Sequence, residues 1–204
     1  MAITNYGELK TAIQTWMFDA GDIGTNAADM VTIAQGYLNR RLRCRDMITQ
    51  DDITPTAGLF ALPSDFLQPR HVAELFGTSR RPLRLITLER ADRLYPDREA
   101  GQGIWYAIIG SNIRVFPTIT NDIELTYYAR LGAFGNDAAT DWLLTKFPNL
   151  YLSAACMYAA EFLKDDAEVQ KQAAIVEMYV SMLNSEDDAA ELADAEYIAE
   201  GFNP

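Results

Sequence analysis

The hydrophobic period of this chain changes twice, from helical to extended and back, and that double switch restricts the fold more than any single motif does. Near the start, Leu9, Ala12, Ile13, Trp16, Met17 and Ala20 form a stripe at helical spacing. Asn5 stands before it with Glu8 three residues on, the arrangement of a capping box. After Gly24-Thr25-Asn26, read as the connection, a second stripe follows: Met30, Ile33, Ala34, Tyr37, Leu38 and Leu42. Its first turn holds Asp29, which favours the positive end of the helix dipole.

From Met47 the punctuation changes to Pro, Gly and Asp between short extended runs. Leu59 to Leu62 reads as a strand, and residues 70 to 76 and 82 to 86 as a hairpin around Gly77-Thr78-Ser79. Thr87 to Leu94 is long enough for two helical turns. Ile104 to Ile109 and Asn112 to Phe116 flank Gly110-Ser111, a short hairpin turn. Ile123, Leu125, Tyr127 and Ala129 then alternate with Glu124, Thr126, Tyr128 and Arg130, which gives a strand one buried face. Helix returns at Asp141, breaks near Pro148, and resumes through Leu163. Asp165 with Glu168 announces the last helix. One of its apolar faces is Val169, Ala173, Val176, Val180 and Leu183, and the other is Ile175, Met178, Tyr179 and Met182. The second face either meets a partner or belongs to a central helix covered on both sides.

The expected fold is α+β: an antiparallel helical bundle with an antiparallel β-meander inserted between its second and third helices. The corresponding parts are 1–46 (helical pair), 47–135 (β-rich insertion), 136–185 (returning helices) and 186–204 (acidic tail).

Charge narrows the function. The net charge is -12, but residues 40 to 98 hold 11 of the 17 basic groups, while residues 161 to 200 set twelve acids against Lys164 and Lys171. Such a balance repels nucleic-acid backbones and suits surfaces that meet partners of opposite sign, copies of the same chain included. Arg40, Arg41, Arg43 and Arg45 crowd the end of the second helix. They fit three roles: stabilising a helix C-terminus, pairing with an acidic helix of a neighbouring subunit, or touching phosphate. The first two are favoured, because the aromatic interleaving of a single-strand platform is missing.

Chemistry has little to work with. His71 is the sole histidine and sits in a strand-like run, no Ser or Cys lies in a nucleophile motif, and Gly101-Gln102-Gly103 lacks the third glycine of a dinucleotide fingerprint. Cys44 and Cys156 lie far apart, outside any metal-ligand spacing, and read as small buried hydrophobes. The acidic pairs Asp51-Asp52, Asp165-Asp166 and Asp187-Asp188 read as caps and solvated groups, since neighbours on a helix diverge. No catalytic residue, cofactor or metal is expected. No apolar run approaches the roughly 18 residues of a membrane span, and Met1 to Glu8 lacks a signal's basic and apolar regions. The expectation is a chain made and kept in a cytoplasm, with no membrane contact.

Five segments occur in a telling order: Asn5-Tyr6-Gly7-Glu8-Leu9; Leu38-Asn39-Arg40-Arg41-Leu42-Arg43; Leu62-Pro63-Ser64-Asp65-Phe66-Leu67; Glu124 to Arg130; and Asn149-Leu150-Tyr151-Leu152 with Glu161 to Asp166. Together they resemble the head-to-tail adaptor proteins that bridge portal and tail in tailed bacteriophages, over residues 5 to about 185. The resemblance implies a non-enzymatic virion protein, a helical bundle with a β-rich extension, and a ring of twelve copies beneath the portal. Tail or nozzle proteins would dock below, and DNA would pass through without specific binding. The alternatives are a stopper or tail-tube protein of the same particle, or a virion-borne wall hydrolase.

The last residues lie outside the resemblance. There Tyr197, Ile198 and Phe202 are apolar anchors in an acidic run, which suits a tail that orders on a partner. The partner-binding candidates, for portal or neighbouring subunit, are therefore Tyr197, Ile198, Phe202, Arg40, Arg41, Arg43, Met178 and Met182.

Overall fold

The computed structural model describes residues 3–18 and 21–200, with side chains through Ser185. The chain combines helices with largely antiparallel sheets and divides into two units, residues 1–46 with 131–204, and residues 47–130.

The first unit is helical: α1 (Tyr6–Trp16), α2 (Asp22–Arg41), α4 (Trp142–Lys146), α5 (Pro148–Leu163) and α6 (Asp166–Glu200). The Asn5 side chain accepts the Glu8 N–H at 2.9 Å, as an N-cap should. The return half of the capping box is displaced by one residue, because Glu8 Oε2 accepts from the Thr4 N–H at 2.7 Å rather than from Asn5. That bond holds the Glu8 carboxyl below its ordinary range. Asp165 caps α6 through the Glu168 N–H at 3.1 Å, and Asp141 caps α4 through Leu144 at 2.7 Å. Pro148 occupies the first turn of α5, where its missing N–H costs nothing. The short α4 therefore ends at a proline that starts the next helix. Lys164, in the left-handed region, ends α5 and turns the chain into α6.

α2 starts at Asp22, earlier than the sequence reading placed it, and takes in Gly24-Thr25-Asn26. Ile23 and Ala27 are fully buried, so tertiary packing overrides the weak helix propensity of that stretch. α5 is the core helix: ten of its residues are buried, Leu150, Tyr151, Ala154 and Ala155 completely. It packs against α1, α2, α4 and α6. From α6, Val176, Val180 and Leu183 are buried.

The second unit is not one meander. Its strands are β1 (Ile48–Ile53), β2 (Leu59–Ala61), β3 (Phe66–Phe76), β4 (Ser79–Pro82), β5 (Arg84–Leu85), β6 (Trp105–Ile109), β7 (Asn112–Phe116) and β8 (Ile123–Ala129), with helix α3 (Leu88–Leu94) after β5. They form two four-stranded sheets, β1-β8-β3-β4 and β2-β7-β6-β5. Phe60, Tyr106, Ile113 and Val115 from one sheet share a core with Val72, Ile123, Leu125 and Tyr127 from the other. This is a two-layer sandwich.

The partner of residues 70–76 is Ser79–Pro82 rather than 82–86, because Gly77 in the left-handed region and Thr78 make the whole turn and Ser79 already faces Phe76. The Leu83 N–H still bonds to the Val72 carbonyl at 2.8 Å, and only after it does the chain cross to the other sheet, where β5 runs parallel to β6. The β6–β7 hairpin forms as read, with Gly110 in the left-handed region its turn requires. β1, which carries little apolar signal, pairs along β8 from Ile48↔Tyr128 to Ile53↔Ile123.

Candidate interaction surfaces

The arginine cluster is largely committed within its own unit. Glu177 of α6 accepts from the Tyr37 hydroxyl at 2.6 Å and from the Arg41 guanidinium, which also lies 5.9 Å from the Tyr37 ring. Burial, together with the Glu177 carboxylate, raises the Tyr37 hydroxyl above its ordinary pKa. Asn184 completes the clasp: its side-chain oxygen accepts the Arg43 N–H at 2.9 Å, and its amide donates to the Arg41 carbonyl at 3.0 Å. The Arg43 guanidinium turns back onto the carbonyls of Asn39 and Leu42, satisfying the end of α2 where a cation is favoured. Arg40 is exposed beside Tyr158.

The other candidates divide cleanly. Met178 and Met182 are 61% and 40% exposed on the outer side of α6, opposite the buried Val176, Val180 and Leu183. The side chains of Tyr197 and Ile198, and Phe202 as a whole, lie outside the described residues.

A different surface escaped the sequence reading. Trp16, placed in the buried stripe, is 60% exposed, and Phe18 is 96% exposed. They line a groove of about 510 Å³ with Thr15, Met17, Asp165, Glu168 and Lys171. The helical stripe continued to the end of α1, but periodicity reports a face and says nothing about what covers it. Hydrogen bonds from Gln172 and Lys171 hold the Glu168 carboxyl below its ordinary range. That carboxylate stays ionised at the groove wall.

In the second unit the buried polar groups are structural. Glu74 accepts the Gly103 N–H at 3.1 Å and the Asn121 amide at 2.7 Å, and Glu124 pairs with Arg80 at 2.7 Å. The Tyr127 hydroxyl lies 2.9 Å from Asp51 and 3.0 Å from Asp65. Burial first, and these carboxylates second, raise its pKa far above the ordinary tyrosine value. His71 is an exposed residue of β3. Both cysteines are buried thiols outside any disulfide, and burial pushes the Cys156 thiol up to about 12. Among the described residues, no group of three or more His, Cys, Asp or Glu is placed to hold a metal, and no helix is long and apolar enough to cross a membrane.

The chain thus consists of a helical unit with an open aromatic groove and a β-sandwich whose buried polar groups tie the fold together. The SU10 adaptor protein family model matches residues 4–197, and the chain belongs to that family of phage head-to-tail adaptors, structural components of the virion that contact other head and tail proteins. No curated protein matches the sequence.

Proposed function

We propose that this chain is the ring subunit that joins the portal to the tail. Twelve copies form the ring, extend the DNA channel and offer a platform for tail or nozzle proteins. The observation that carries the reading is the family match across 4–197, which takes in both units. In this reading the helical parts, 1–46 and 136–185, act as an antiparallel bundle that sets the body of the ring. The β-rich part, 47–135, reaches toward a neighbour or the tail, and the acidic tail, 186–204, docks on the portal.

Charge supplies the mechanism of passage. At a net charge of -12 per copy, the ring disfavours phosphate contact, so DNA slides through instead of sticking. Of the candidates named from the sequence, Arg40, Met178 and Met182 lie on the described surface and suit a portal or neighbour contact. Arg41 and Arg43 contribute by fixing α2 against α6. Tyr197, Ile198 and Phe202 would anchor the tail.

Negative-stain images of virions labelled with an antibody against this chain test the assignment. Label at the head–tail junction is expected. Label spread over the capsid, or at the distal end of the tail, contradicts it.

A further inference from the structure

Two open surfaces of the chain complement each other. The first is the groove at the end of α1, where Trp16 and Phe18 stand in water beside the acids at the start of α6. Asp165 uses one oxygen to cap α6, and Asp166 next to it is exposed. The second lies on the sandwich. β4 and β5 are each one edge of their sheet, β1 and β2 being the other edges, and they follow one another directly in the chain, with α3 next. Leu85, Leu88 and Leu94 are exposed here, at 61%, 38% and 53%. Around them stand Arg84, Arg90 and Arg93, all exposed. Arg93 pairs with Glu89, and Arg90, Arg93 and Leu94 line a shallow groove of about 340 Å³.

Arginine and proline on edge strands commonly block unwanted strand pairing. That role accounts for Arg80, Arg81 and Pro82, but not for three leucines left in water beside Arg84 and Arg90, which form no ion pair among the described residues. The two faces match in the ways a docked pair needs. One is aromatic and acidic, the other aliphatic and basic, and a guanidinium stacks well on an indole face. Because the faces differ and sit on separate units of one chain, a contact between them is heterologous. Such contacts propagate from copy to copy and close into a ring when the rotation allows.

We propose that the arginine–leucine face of one copy, at Arg84, Arg90 and Leu94, seats on the Trp16–Phe18 groove of the next copy. The inference rests on the ring reading above and supplies the surfaces that make the ring.

The test is a pair of exposed cysteines, Phe18→Cys and Leu94→Cys, in the full-length chain, whose two native cysteines are buried. Circular dichroism first shows that the fold is retained. Rings assembled on portal are then treated with a short bismaleimide linker and run on a denaturing gel. The double variant is expected to give a ladder of multimers, and either single variant to stay monomeric. A ring that assembles normally on the portal yet yields no ladder overturns the pairing and leaves the ring reading standing. If no ring forms on the portal even with the unmodified chain, both fail together.

Discussion

Removing a single oxygen atom from the sandwich core should cost far more than its size suggests. Tyr127 is 1% exposed, its ring lies 5.6 Å from that of Phe66, and its hydroxyl touches carboxylates from two different elements, Asp51 of β1 and Asp65 of the loop before β3. Tyr127→Phe keeps the ring packing and leaves those two carboxylates facing each other without their shared donor. One hydroxyl proton serves one charge-assisted bond at a time, so the expected loss is about 1.5–3 kcal/mol. Urea denaturation of the full chain, followed by far-UV circular dichroism, should show a lower midpoint at unchanged slope. Tyr128→Phe is the internal control. That hydroxyl meets Arg70 at 2.9 Å on the exposed side of the same strand, where such a pair contributes about 0–1 kcal/mol.

The same site predicts alkaline behaviour. The folded-state pKa of Tyr127 is raised, so its contribution is complete below the unfolded tyrosine value of about 10 and fades as pH rises toward the folded value. The wild type should therefore lose stability above about pH 10 more steeply than Tyr127→Phe. Equal effects of the two tyrosine substitutions would refute the reasoning.

Three further outcomes follow from other parts of the chain. Gly103→Ala should destabilise by about 1–3 kcal/mol, read from the same urea curves, because a Cβ there would meet Val115 at 3.0 Å, Leu83 at 3.1 Å and the Glu74 carboxylate at 3.2 Å. Truncation after Ser185, which keeps the Asn184 clasp on α2, should leave the melting temperature nearly unchanged while portal association measured by co-sedimentation falls sharply. Duplex DNA should bind weakly in a gel shift and release at physiological salt, with Arg40→Ala making little difference.

Local chemistry was legible in the sequence and long-range pairing was not. Asn5 and Asp165 announce their helices because a cap acts over three residues, and Gly110 announces its turn because φ > 0 favours glycine. The division into two sheets could not be read the same way. Ile48 pairs with Tyr128, some eighty positions away, and β1 is too polar to look like a strand. Trp16 failed for the opposite reason, since a strong apolar signal marks a face whether a neighbour covers it or not. The arginine cluster was visible as charge, but its partners, Glu177 and Asn184, lie on a helix more than a hundred residues on.

The central claim, that copies of this chain ring the portal exit, is tested most directly by native mass spectrometry of purified portal rings mixed with excess chain. A single complex heavier than the portal by twelve copies of a 22.8 kDa subunit is expected. A portal whose mass does not change, or one that takes up a scattered number of copies with no closed stoichiometry, would contradict it.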